Sequence, residues 1–267
     1  MHKLYVFWHI YISDTDQRRR STAMNIIRRQ HKRLSDSGLV AAVEKVYIGY
    51  VSRSAFPCEE ILANPKFEIA AVAESGNERI TTSLMHTWCN TPEADGAAVL
   101  YMHNKGESHP EHAPAHSWAK ACEYFTIDRY RDAVGRLSTY ETAGPFLVGH
   151  HLSYYNNCAI WHYSGNFWWA KASYIRSIPP PRTGRHSCGE LWVIATHGIH
   201  IPKHIAFPLY VDAYHRCLYS RHIDEHEYMH YEDVISKGIQ PKVDPNERCR
   251  VTKPPIGSAF IFSLERD

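Results

Sequence analysis

The chain has 267 residues, of which 44% are hydrophobic and 22% charged, with a formal net charge of +2. This is ordinary globular composition, and the length is enough for one α/β core. The near-neutral balance argues against a nucleic-acid partner, which usually requires a basic surface.

Leu4–Ile12 (LYVFWHIYI) is rich in β-branched and aromatic residues and predicts a buried first strand. It is too short for a membrane span, and Asp14 and Asp16 follow it without a small-residue cleavage site. Gln17–Ser35 carries apolar residues at Met24, Ile26, Ile27 and Leu34, the pattern of an amphipathic helix that stops near Ser37-Gly38. Val43–Val51 and Phe67–Ala73 predict two more strands. Asn77 is a good N-cap for a helix from Glu78 to about Trp88. Ala97–His103 predicts a fourth strand, ending on Asn104-Lys105-Gly106. Ser117–Leu137 reads as one long helix. Apolar runs at Phe146–Gly149 and Ala159–Tyr163 precede a Trp-rich turn. Glu190–Thr196 reads as a helix and Ile205–Val211 as a strand. Beyond Lys237 the chain is rich in proline and charge, which predicts a loosely packed tail.

Strand–helix alternation predicts a mostly parallel sheet with helices on both faces. Ligands of such sheets bind at the carboxyl ends of the strands. The candidate segments are then Tyr11–Asp16, Glu74–Arg79 and His103–Gly106.

Three motifs carry chemistry. The first, Tyr101 to Gly106 (YMHNKG), delivers His103, Asn104 and Lys105 to the ligand edge, with a lysine charge suited to a diphosphate. Its bland reading is a polar strand end with a turn glycine. The second is His162 to Ala170 (HYSGNFWWA). The adjacent tryptophans must point in different directions, so one packs inward while the other is free to line a sugar pocket, unless both are structural. Aromatics are 12% of the chain, and flat rings suit the apolar faces of sugars as well as they suit a core. The third is Cys188 to Trp192 (CGELW), where Glu190 is either a helix-start carboxylate or a general base.

In this order the motifs resemble the glycosyltransferases of large DNA viruses, including those by which chlorella viruses build capsid glycans, and related bacterial polysaccharide enzymes. The matching pieces are YVFWHIY (from Tyr5), SGL (from Ser37), NERIT (from Asn77), VLYMHNKG (from Val99), HYSGNFWWAKASYI (from His162) and GELW (from Gly189). The resemblance implies a GT-A-like α/β fold, a Rossmann-like mixed, mostly parallel sheet flanked by helices. Residues from about 1–106 would form a nucleotide-sugar half, about 107–236 an acceptor half, and 237–267 a tail. It implies a UDP-sugar donor, with GDP-sugar second, and an oligosaccharide or glycoprotein acceptor. Xylose, rhamnose or another hexose or deoxyhexose would be transferred, with inversion, in a cytoplasmic enzyme of capsid glycan synthesis. His9, Tyr11, Arg79, His103, Asn104 and Lys105 would bind the donor. His162, Gly165, Asn166, Trp168 and Trp169 would face the acceptor. Glu190 would be the catalytic base. Many GT-A enzymes carry Asp-x-Asp after the fourth strand for a divalent metal, but here His103-Asn104-Lys105 stands there. Manganese or magnesium is therefore left open, no metal ligand is assigned, and Lys105 and Arg79 are candidates to replace the metal's charge. The one Asp-x-Asp, Asp14-Thr15-Asp16, reads as a loop and helix cap.

Two rival classes remain. His226 to His230 (HEYMH) matches the zinc-peptidase pattern H-E-x-x-H, although Asp224, Glu225 and Glu232 make its flanks acidic. A non-catalytic glycan-binding module would keep the aromatic surface without a nucleotide edge. Arg18-Arg19-Arg20 and Arg28-Arg29 read as solvated helix faces. The cysteines number 7, with no C-x-x-C, which predicts no disulfide framework and a reducing compartment.

Overall fold

A computed structural model of the chain describes residues 2–151, 159–182, 189, 191–195, 202, 204–210, 222–225 and 228. Nine strands are seen among them: β1 (Lys3–Tyr11), β2 (Val43–Val51), β3 (Phe67–Ala73), β4 (Ala97–His103), β5 (Thr142–Pro145), β6 (Leu147–His151), β7 (Ala159–Tyr163), β8 (Trp168–Lys171) and β9 (Ala206–Tyr210). Seven form one sheet in the order β3-β2-β1-β4-β8-β5-β9, and β6 pairs with β7 in a second. The pairs β3–β2, β2–β1, β1–β4 and β5–β9 are parallel, whereas β8 runs antiparallel to both neighbours. The fold is thus mixed α/β with a mostly parallel sheet.

The helices are α1 (Gln17–Asp36), α2 (Leu39–Ala42), α3 (Glu59–Leu62), α4 (Arg79–Cys89), α5 (Ala113–Glu123), α6 (Tyr130–Arg136), α7 (Ala172–Ser177) and α8 (Trp192–Ala195). Two-residue alternation sorts β1 between two cores. Val6, Trp8 and Ile10 pack with Ala23, Ile27 and Leu34 of α1 and with Trp118 and Cys122 of α5. Tyr5 and Phe7 pack on the other face with Met85 and Trp88 of α4 and with α7 and α8. Burial on both faces explains why the inner strands read as near-continuous apolar runs.

Asp16 caps α1, accepting from the Arg18 and Arg19 backbone N–H groups, and Gly38 lies just past its end in the left-handed region at φ 76°. Asn77 accepts from the Arg79 N–H at the start of α4.

The region read as one helix over Ser117–Leu137 is instead α5, a π-helical turn (Tyr124–Asp128) and α6. The break has a cause. The Trp169 indole N–H donates to the Thr126 carbonyl at 2.8 Å, taking an acceptor that a regular helix would use internally. The Arg129 N–H then reaches back five residues, to the Tyr124 carbonyl.

Candidate active site

The chain runs outward from β1 through β2 to β3, then returns to place β4 on the other side of β1. That reversal is a topological switch point, where the loops after β1 and β4 diverge and leave a crevice. A cleft of about 440 Å³ lies there, lined by His9 and Tyr11 from the end of β1 and by residues 103–109 after β4. Arg19, the segment Gly76–Glu78, Ala115, Gly165, Asn166 and Gly189 complete its wall.

The floor is a hydrogen-bonded cluster. His9 and His103 are register partners on β1 and β4, on the face that carries Tyr5, Phe7 and Tyr101 deeper in the sheet. His103 Nδ1 lies 2.9 Å from Glu78 Oε1, and its Nε2 lies 2.9 Å from the Gly165 carbonyl. Both partners are acceptors, so both bonds form together only on a doubly protonated ring. Asn166 Nδ2 donates to the other Glu78 oxygen, and Asn166 Oδ1 accepts from the Trp168 indole at 2.8 Å. The indole only donates, and this fixes which end of the amide faces Glu78. Burial would raise the Glu78 carboxyl, but His103, then His9 and Lys105, hold it at about 2.

The backbone is built for this cluster. Gly165 (φ 101°) occupies the third position of the turn closed by the Asn166 N–H on the Tyr163 carbonyl, and a Cβ there would meet Cys122 Sγ at 2.8 Å. Gly49, beside His9 on β2, lets Thr81 of α4 come close enough to bond His9 Nδ1 at 2.9 Å.

His9 is 3% exposed. Burial and the nearby His103 lower its pKa from 6.5 to about 4, with Glu78 opposing them. The neutral ring is thus the folded form. Its stabilisation is present above pH 6.5 and is lost as pH falls toward 4. The loss should be on the order of 3 kcal/mol, and His9→Asn should flatten it in melts taken across this range. An unchanged pH slope in that variant contradicts the assignment.

The cations of the cleft are held in different ways. Lys105 Nζ sits 3.6 Å from the centre of the Trp118 ring. Arg19 grips Glu107 through two nitrogens, with its shortest contact at 2.8 Å, and lies over the Tyr11 ring. Burial pushes the Glu107 carboxyl up, against the pull of Arg19.

The described residues are a poor fit for a divalent cation of the Asp-x-Asp type. Both Glu78 oxygens are engaged by His103 and Asn166 and both Glu107 oxygens by Arg19, so a cation there would compete with those donors. Asp14 binds Ser52, Arg53 and Ser54, while Asp16 caps α1, and neither lines the cleft. Among the described residues no group of three His, Cys, Asp or Glu side chains is placed to hold a metal.

One family profile matches residues 7–197. The chain belongs to DUF8361, a domain of unknown function. The match includes every residue lining the DUF8361 cleft, from His9 to Gly189. No curated protein matches the chain. Among solved structures, it is similar to a putative nucleotide-diphospho-sugar transferase from Desulfovibrio desulfuricans, at 11% identity and a TM-score of 0.39, over 90% of this chain and 99% of that one. It is also similar to a 4-diphosphocytidyl-2C-methyl-D-erythritol synthase from Anaerococcus prevotii, at 6% identity and a TM-score of 0.38, over 88% and 99%. At such TM-scores the similarity carries no argument about function.

Of the residues expected to bind donor, His9, Tyr11, His103, Asn104 and Lys105 all line the DUF8361 cleft, whereas Arg79 is an exposed first residue of α4 outside its lining. Asn104 is 2% exposed, and its amide is engaged with the Tyr11 backbone, donating at 2.7 Å and accepting at 3.0 Å, so it ties β1 to β4. Gly165 and Asn166 line the cleft, but His162, Trp168 and Trp169 do not. His162 is buried in β7. Trp168 and Trp169 are fully buried on opposite faces of the sheet, which corrects the expectation of an acceptor-facing tryptophan. Their indole N–H groups hold Asn166 and the π turn instead. Glu190 and most of the HEYMH segment lie outside the described residues. Sequence reasoning missed Arg19, Glu107 and His109, and gave Glu78 no role of its own within its candidate segment. The signal for Glu78 was its place in Glu74–Arg79, and for Arg19 its position just after the β1 loop.

Proposed function

We propose that the chain is a transferase that binds a sugar nucleotide in the cleft between β1 and β4 and passes its sugar to a glycan hydroxyl. The observation that carries this reading is the switch-point cleft itself, with Lys105 and Arg19 in its wall. A crevice at the carboxyl ends of parallel strands is where α/β sheets take nucleotides, and the two cations suit a diphosphate. Uridine as the base, inversion at the sugar and a part in viral capsid glycan synthesis rest on the sequence resemblance. Gly165 and Asn166, in the wall of the cleft, are proposed to border the acceptor. Among the described residues no helix is long and apolar enough to cross a membrane.

UDP should bind more tightly than ATP in calorimetry, because the cleft offers few cations for the extra charge of a triphosphate. Equal affinities contradict this reading, and so does an absence of hydrolysis across a panel of UDP- and GDP-sugars.

A further inference from the structure

We propose that the cleft grips the donor's diphosphate with the chain's own cations, Lys105 and Arg19, in place of a divalent metal, and that Glu107 is the anion Arg19 releases when the diphosphate arrives. This rests on the sugar-nucleotide reading above. It goes beyond it by naming the charges that hold the donor and the carboxylate that competes with it.

The first support is the state of the carboxylates. A divalent cation bridging to a diphosphate needs protein oxygens with free lone pairs. Among the described residues the cleft shows two carboxylates, Glu78 and Glu107, and every oxygen of both is engaged by a protein donor, so a cation would have to compete with those bonds. Glu78 is fixed in the His103–Asn166 cluster, and releasing it would dismantle the floor. Glu107 is held by one flexible partner.

The second support is how the cations are held. The partner of Lys105 is a ring, Trp118, whose attraction for an ammonium is weaker than that of a phosphate oxygen. The partner of Arg19 is a carboxylate bound through two guanidinium nitrogens. A phosphate offers the same pair of oxygens to the same planar fork. The Arg19 side chain keeps 30% of its exposure and that of Glu107 only 13%, so Arg19 is the partner free to turn.

The exchange balances. Arg19 leaves the Glu107 oxygens for phosphate oxygens, and no covalent bond is made or broken. Glu107 is left in a partly buried wall that disfavours its charge, which is why it competes with the diphosphate for Arg19.

The test is a calorimetric titration of the full chain with UDP, in EDTA and again with magnesium or manganese. Affinities within about threefold of each other support the proposal. In EDTA, Lys105→Ala and Arg19→Ala should each weaken UDP by about 10–100-fold. Glu107→Gln should instead tighten it by roughly 3–10-fold, because Arg19 no longer has to be won from a carboxylate. Thermal melts verify that each variant is folded. UDP binding that appears only with metal overturns the inference and leaves the sugar-nucleotide reading standing. Weakening by Glu107→Gln to the same extent as Arg19→Ala also overturns it, since the pair would then be a structural brace. No UDP binding under either condition overturns the sugar-nucleotide reading and the inference together.

Discussion

Glu190→Gln should bind UDP as tightly as the wild type and turn over about 10²–10⁴-fold more slowly. Transfer to a hydroxyl needs a group that takes its proton as the new bond forms. The carboxylates that the cleft displays are poorly suited to this. Glu78 is held at about 2, and both its oxygens are occupied, so it has little pull on a proton at neutral pH. Glu107 is clasped by Arg19. Gly189 lines the cleft, and a side chain in its place would strike Glu78 and Asn166, so the backbone there passes directly over the floor. Glu190 is its chain neighbour. Glutamine keeps the size and removes the basicity. A folded variant that binds donor and turns over at the wild-type rate contradicts the assignment and moves the role to another carboxylate, Asp212 being next.

Glu123→Ala should lower folding stability by about 3 kcal/mol. The Glu123 side chain is fully buried at the end of α5. Arg29 binds it through two nitrogens at 2.7 and 2.9 Å, Arg33 lies at 3.3 Å, and Gln30 donates at 2.9 Å. Gln30 also accepts from the Trp8 indole and donates to the His103 carbonyl, so the network ties α1 to β1, to the end of β4 and to α5. Removing one partner of a buried pair usually costs about 3–5 kcal/mol, because the other charge is left uncompensated. The lower end applies here. Arg29 and Arg33 retain 25% and 23% of their side-chain exposure and regain some hydration. Denaturant unfolding checks this, and a loss below about 1 kcal/mol would place the pair among weak surface bridges.

The first four strands of the sheet were legible because they obey simple rules. Buried parallel strands need apolar residues on both faces, so Ala97–His103 stands out and matches β4, while Val43–Val51 and the edge strand Phe67–Ala73 are marked by β-branched and aromatic residues and match β2 and β3. The end of β4 was legible for a related reason, since polar residues directly after such a strand sit at the ligand edge. The second half was less so. A π turn set by Trp169, some forty residues further on, leaves no local mark within Ser117–Leu137. The two tryptophans were read correctly as pointing in different directions, but both directions are core. Arg19 looked like one of three solvated arginines. Arg18 is solvated, but Arg19 is turned into the cleft by the start of α1, which sequence charge alone does not reveal. Glu78 lies in the candidate segment Glu74–Arg79, but a search for diphosphate-binding cations points to its basic neighbour Arg79 and not to the carboxylate that holds His103 and Asn166.

The most direct measurement is a crystal structure of the full chain with UDP. The sugar-nucleotide account predicts density between the end of β1 at His9–Tyr11 and the loop after β4 at residues 103–109, with the diphosphate beside Lys105 and Arg19. UDP seated elsewhere, such as the separate cavity lined by Glu141, Tyr174 and His204, or an empty cleft at saturating UDP, would contradict it.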